Sequence, residues 1–128
     1  LTAKLLGGDG FQTPEFIKLA GEAAEGQYAS NPGAPKEKLP GFASFNQKFT
    51  AKYGEVQLYA PYCYDATKLV VAAMKKAESA EPAKYLPELT KIEYEGVVGK
   101  IKFDDKGDVL NGVITVYQVK DGKWEVVQ

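Results

Sequence analysis

The sequence predicts a mixed α/β fold that opens with a strand-turn-helix-strand unit and closes with a β-hairpin. Three stretches carry that expectation. Leu5-Leu6-Gly7-Gly8-Asp9-Gly10-Phe11-Gln12-Thr13-Pro14 reads as the end of a buried strand, a glycine turn bearing one acid, and the start of a helix. Phe42, Phe45, Phe49 and Tyr53 share one helical stripe. Asp121-Gly122 separates two alternating apolar runs near the end of the chain, a strong hairpin signal.

Taken in order, residues 2–6 form a short strand, and the Gly-Asp-Gly turn follows. Thr13 is a good N-cap and Pro14 suits the first helical position, so a helix runs from about Pro14 to Ala20, with Gly21 as its stop. A second strand spans Gln27 to Ser30, giving the β-turn-α-β unit of a parallel sheet. Three prolines and a glycine between Asn31 and Pro40 forbid a regular element there and mark a connector between two structural blocks.

A helix from about Gly41 to Tyr53 carries the aromatic stripe, which reads as core rather than as a cofactor box, and Gly54 ends it. The longest helix begins within Leu58–Ala66 and reaches about Ala77, with Tyr59 and Tyr62 before the helix proper. Cys63, Ala66, Val70, Ala73 and Ala77 form its packing face, widened by Leu69 and Met74. Glu81–Leu89 is a short helix limited by Pro87. Tyr94–Phe103 is β-rich, Asp104–Asp108 is a turn, and Val113–Val119 and Lys123–Val127 are the hairpin strands.

The bulk numbers exclude several function classes. The chain has 128 residues, enough for one domain or a piece of a larger protein, and its hydrophobic fraction of 45% is ordinary for a soluble globular protein. Net charge is −1, and all 16 basic residues are lysines. Without arginine there is no bidentate fork for phosphate or guanine, so nucleic acid is not an expected partner. Histidine is absent, which removes the usual general base and the commonest zinc ligand. Cys63 is the only cysteine; it excludes an internal disulfide and a cysteine-based metal cluster, and reads as an inert residue on a buried helix face. It fits the cytosol and the periplasm equally. No transmembrane run or signal peptide is read in the sequence, and the abrupt start at Leu1 suits a mature secreted protein or a cut fragment.

The local motifs narrow the field further. Gly8-Asp9-Gly10 begins like a dinucleotide fingerprint, but Thr13 stands at the third glycine position and the acid would repel a pyrophosphate. Asp104, Asp105 and Asp108 suggest a calcium loop, but Lys106 and Thr115 occupy the third and twelfth ligand positions. No metal site, cofactor or catalytic constellation is expected. A carboxylate pair of Asp9 with Glu15 or Glu22 is conceivable, but nothing in the sequence brings them together. Asp9, at the carboxyl end of a strand in an α/β sheet, stands where ligands bind, and its charge suits a cation. The same pattern also makes an ordinary solvated turn.

Several runs, in order, resemble one family: Gly7-Gly8-Asp9-Gly10, then Ala20-Gly21-Glu22-Ala23-Ala24-Glu25-Gly26, then Phe49-Thr50-Ala51-Lys52-Tyr53-Gly54 and Tyr64-Asp65-Ala66. Gly99-Lys100-Ile101-Lys102-Phe103-Asp104-Asp105-Lys106-Gly107-Asp108 and Val116-Tyr117-Gln118-Val119 complete the set. Together they resemble the leucine/isoleucine/valine-binding proteins, the type I periplasmic solute-binding proteins of ABC transporters. The resemblance covers nearly all of the chain and implies the carboxy-terminal portion of a two-lobed α/β fold. It implies residues 1–30 in the second lobe, a Pro-rich crossover at 31–40, helices of the first lobe at 41–93, and a β-rich return with the terminal hairpin at 94–128.

The resemblance also implies a function: capture of an amino acid, branched-chain or related, in the cleft between the lobes, in the periplasm, for a membrane permease. Asp9 matches the acid that meets the ligand's ammonium, and Tyr59 matches the aromatic that lines the side-chain pocket. The groups that hold the ligand's carboxylate are expected upstream of Leu1, so the chain is expected to lack half of the site. Its partners are then the amino-terminal part of its parent or, for an isolated fragment, a second copy of itself. A ligand-sensing regulatory domain of the same fold and an α/β enzyme domain are the alternatives.

Overall fold

Thr13 and Pro14 start a helix where the sequence places one. In the computed structural model, which describes residues 3–127, helix α1 runs Pro14–Ala20, with Pro14 in its first turn. The Thr13 hydroxyl accepts the Phe16 N–H at 3.1 Å, satisfying a donor that the helix itself leaves free. Gly21, at φ 54°, ends the helix. The chain divides into two units: the stretch up to Pro35 joined with that from Gly112 onward, and Lys36–Asn111.

In the first unit, α1 connects two parallel strands, β1 (Leu6–Gly7) and β2 (Tyr28–Pro32). The expected β-turn-α-β unit is therefore present, with shifted bounds. The predicted start of the first strand at Thr2 lies outside the described residues. Leu6 is 67% exposed, so β1 is not the buried strand expected. The sheet order is β1-β2-β5-β6, which puts β1 at an edge with a neighbour on one side only among the described residues. Strands β5 (Ile114–Lys120) and β6 (Lys123–Val126) form the terminal hairpin. Asp121 and Gly122 both take positive φ, 49° and 70°, as a two-residue turn between right-twisted strands requires. The Glu25 carboxylate accepts the N–H groups of both turn residues, at 3.2 and 3.4 Å.

Alternation sets the inward face of this sheet. Ala29 and Asn31 of β2, and Thr115 and Val119 of β5, are buried. The two polar members are hydrogen-bonded, as burial demands: Asn31 Nδ2 donates to Gln12 Oε1 at 2.8 Å, and Thr115 Oγ1 donates to the Gly33 carbonyl at 2.7 Å. Pairing of Asn31 and Pro32 with β5 carries β2 into the stretch predicted to be irregular from Asn31 on. Proline is tolerated there because, among the described residues, β1 pairs only with Tyr28 and Ala29, which leaves Pro32 at an edge on that side. A single 3-10 turn at Lys36–Lys38 also lies within that stretch.

The second unit holds α2 (Phe42–Tyr53), α3 (Ala60–Lys76), α4 (Pro82–Leu89) and a two-stranded ribbon of β3 (Tyr94–Gly96) and β4 (Gly99–Ile101). Segment 94–111 belongs to this unit. The buried face of α3 is Pro61, Asp65, Leu69 and Ala73, one residue per turn. That corrects the packing face read from Cys63, Ala66, Val70, Ala73 and Ala77. Cys63 is exposed and not an inert buried residue, because Pro61 and Asp65 on either side of it point inward. Tyr62 lies inside α3 rather than before it, and α4 ends at Leu89 as expected, with Pro87 inside it. The Asp104–Asp108 turn is as expected: Asp104 Oδ1 accepts the N–H groups of Lys106 and Asp108, both at 2.9 Å.

Candidate ligand-binding site

Asp9 follows the carboxyl end of β1, in a single 3-10 turn at Asp9–Phe11. The turn is fixed from two directions. Phe11 N–H donates to the Gly8 carbonyl at 3.0 Å and Gln12 N–H to the Asp9 carbonyl at 2.9 Å. The Gln12 side chain then takes the bond from buried Asn31 on β2. On the other side the Phe11 ring folds back over Gly7, where a Cβ would stand 2.5 Å from its ring carbon. That close approach is why the turn opens on glycine. Phe11 packs edge-on to Phe16 at 5.6 Å, Phe16 lies 5.7 Å from Trp124, and the Trp124 indole donates to the Thr13 carbonyl at 3.1 Å. A half-buried carboxylate on a turn held this way is a preorganised anion, suited to a charge-assisted hydrogen bond with an ammonium.

Tyr59 stands at the N-cap of α3, and the residue is about half exposed, at 47%. Asp9 belongs to the first unit and Tyr59 to the second. Pro61 and Asp65, buried in the turns that follow, root this end of the helix.

The second unit also has a cleft of about 650 Å³, lined by Phe45, Lys48, Phe49, Lys52, Tyr53 and Tyr64 among others. Phe45–Phe49 and Phe49–Tyr53 ring centroids are 5.3 and 5.1 Å apart, and Phe45–Tyr64 are 5.3 Å apart. The aromatic stripe of α2 was expected to be core. Instead α2 has no buried residue, because its rings stack along the helix and against Tyr64 and are not covered on all sides. Neither Asp9 nor Tyr59 lines this cleft.

Beside the ribbon, Glu93 takes hydrogen bonds from Lys100 and Lys102, at 2.7 and 2.6 Å. These hold its carboxyl well below the ordinary 4.5, at about 2. Burial, and after it the Asp65 carboxylate and Tyr64, push the Tyr94 hydroxyl above its ordinary value.

Sequence reasoning missed the supporting residues Gln12 and Asn31, and it read Asp65 only as part of a family run. For Asp65 a signal existed: it is four residues from both Pro61 and Leu69, an acid placed in register with an apolar face.

The profile of the periplasmic binding protein family matches residues 1–123. The chain belongs to that family. Its relatives include the leucine-, isoleucine-, valine-, threonine-, and alanine-binding protein of Pseudomonas aeruginosa, 31% identical over 124 residues that cover 92% of this chain and 32% of the relative. Leu/Ile/Val-binding protein homolog 1 of Brucella abortus is 31% identical over 134 residues, covering 100% of this chain and 35% of the relative. Among solved structures, a leucine-binding protein LivK from Thermotoga maritima superposes with a TM-score of 0.83 at 29% identity, over 100% of this chain and 37% of that one. An ABC transporter substrate-binding protein from Desulfitobacterium hafniense, in complex with Leu, gives 0.72 at 26% identity, over 99% and 36%. The fold is thus a portion of the type I periplasmic binding protein fold, and the chain spans about a third of the length of the curated relatives it matches. No described helix of this family member is long and apolar enough to cross a membrane.

Proposed function

We propose that this chain is part of the solute-binding component of an ABC transporter, one that captures a branched-chain or related amino acid between two lobes. The observation that carries this reading is the match, over nearly all of the chain, to proteins named for binding leucine, isoleucine and valine, with a Leu complex among the similar structures. In this reading Asp9 receives the ligand's ammonium, supported by the two-sided clamp on its turn, and Tyr59 lines the pocket for the ligand's side chain. The unit formed by the two ends of the chain belongs to the second lobe of the parent. Lys36–Asn111 belongs to the first lobe, and the 31–40 stretch is one of the crossovers.

The groups that hold the ligand's carboxylate then belong to parts of the parent that this chain does not span. Leu6, Leu19, Tyr53 and Ile114, all at least two-thirds exposed, support a chain that packs against more protein. The setting is the periplasm, the downstream partner a membrane permease, and the role binding rather than catalysis. Differential scanning fluorimetry of the intact two-lobed parent with a panel of amino acids tests this. A rise in melting temperature with aliphatic amino acids is expected, and no shift with any member of the panel overturns the reading.

A further inference from the structure

Asp65 is an acid on the inward face of α3, 1% exposed, and it makes no ion pair within 4 Å among the described residues. Its Oδ2 accepts the Val98 N–H at 2.8 Å, while its buried Oδ1 meets no hydrogen-bond donor among the described residues. A carboxylate so placed costs stability compared with an apolar residue of similar size. Its value to the fold therefore lies elsewhere.

Val98 belongs to the tight connection between β3 and β4, and that connection is fitted closely on two sides. A Cβ at Gly96 would stand 2.5 Å from Asp65 Cγ and from both carboxylate oxygens, so only glycine leaves room for the acid. On the other side, Gly41 N–H donates to the Val97 carbonyl at 3.0 Å, and a Cβ at Gly41 would stand 2.6 Å from Val97 Cα. The same acid lies less than two helical turns beyond Tyr59. The start of α3 has no side-chain cap hydrogen bond, and Pro61 and Asp65 are among its inward anchors.

We infer that Asp65 is a positioning residue: by gripping the Val98 N–H it fixes the first turns of α3, and with them Tyr59, against the β3–β4 connection. The part concerning α3 stands on the geometry alone, and the part concerning the ligand rests on the proposed role of Tyr59. Asp65→Leu removes the acceptor and keeps the number of side-chain heavy atoms; Asp65→Asn keeps an oxygen that can still accept from Val98.

Hydrogen exchange and a spin label on the exposed Cys63 report on the 128-residue chain. In Asp65→Leu the Val98 amide should exchange roughly tenfold faster, the loss expected for a bond to a charged acceptor. The label on Cys63 should gain mobility at temperatures well below the melting point, whether or not loss of the Val98 bond lowers that point. Asp65→Asn should restore both signals. Unchanged Val98 exchange overturns the inference, and so does a Cys63 label that gains no mobility in the folded Asp65→Leu chain; if that variant does not fold, Asp65→Ala is read in the same way. In the intact parent, Asp65→Leu should shift the ranking of amino acids in the direction of Tyr59→Ala. If Tyr59→Ala shifts the ranking and Asp65→Leu does not, the positioning of Tyr59 is wrong. If neither does, the failure belongs to the role of Tyr59, and the exchange and label results alone decide the role of Asp65 in α3.

Discussion

Trp124 and Thr13 are joined by an indole N–H to carbonyl hydrogen bond of 3.1 Å that spans 111 residues of sequence. It ties the last strand to the residue that caps α1, beside the turn that carries Asp9. Replacing Trp124 by Phe removes the bond and keeps a ring against Phe16, so the loss should be about 0.5–1.5 kcal/mol. Trp124→Ala should cost more, because the Phe11–Phe16–Trp124 cluster loses its end ring. Urea unfolding followed by circular dichroism measures both, and equal losses for the two variants would remove the aromatic cluster from the account.

Asp9→Asn in the intact parent should weaken amino-acid binding strongly. Removing one partner of a buried charge pair costs on the order of 2–5 kcal/mol. Isothermal titration checks this, and a loss smaller than about threefold, under 1 kcal/mol, takes Asp9 out of the site.

Tyr59→Ala should change which amino acids bind best more than it reduces binding as a whole. Competition among leucine, valine, alanine and phenylalanine reads the ranking directly. A uniform loss for every ligand, or no change, contradicts a place for Tyr59 in the side-chain pocket.

The Glu93 cluster makes the second unit sensitive to acid. Its carboxyl sits at about 2 in the folded chain, below its ordinary 4.5. The group therefore adds stability that is fully present above pH 4.5 and is lost as the pH falls toward 2. Glu93→Gln should flatten that part of the profile: it should lower stability modestly at neutral pH, and the two chains should converge as the pH falls toward 2. The cluster is exposed, so added salt should shrink the difference. Thermal melts across this window compare the two chains, and parallel profiles would sink the assignment.

The 128-residue chain by itself should not bind an amino acid tightly. A ligand held through Asp9 alone gains roughly 0–1 kcal/mol from an exposed ion pair, against an association cost of ~4–15 kcal/mol. Its uncovered apolar side chains should drive self-association instead. Titration and light scattering read both, and a stable monomer with micromolar affinity would contradict the proposed division of the site.

Punctuation residues made much of the fold legible. Thr13-Pro14, Gly21, Gly54 and Asp121-Gly122 each act within a few residues of chain, and the elements they bound are found where they predict them. What failed depended on distant neighbours. Leu6 reads as buried because it is apolar, but its exposure depends on whether another strand flanks β1. The inward face of α3 was misread because it was drawn through the small apolar residues, whereas the true face includes an acid whose burial is made tolerable by the Val98 N–H. Asp9 could be picked out from its glycines and its strand, whereas Gln12 and Asn31 support it through a bond across 19 residues that no local pattern announces.

The order of strands in the first sheet has a consequence for biosynthesis. Its four strands come from opposite ends of the chain, while everything between Lys36 and Asn111 forms a unit of its own. As the polypeptide leaves the ribosome, β2 emerges well before β5 and, among the described strands, has only β1 beside it until β5 arrives. The middle unit can settle first because all its residues have already been made. Glu25 then waits through 97 positions for Gly122, the turn residue whose N–H it accepts. During that interval the open flank of β2 is a strand edge without a partner, the kind of surface that chaperones hold and that other nascent chains can pair with.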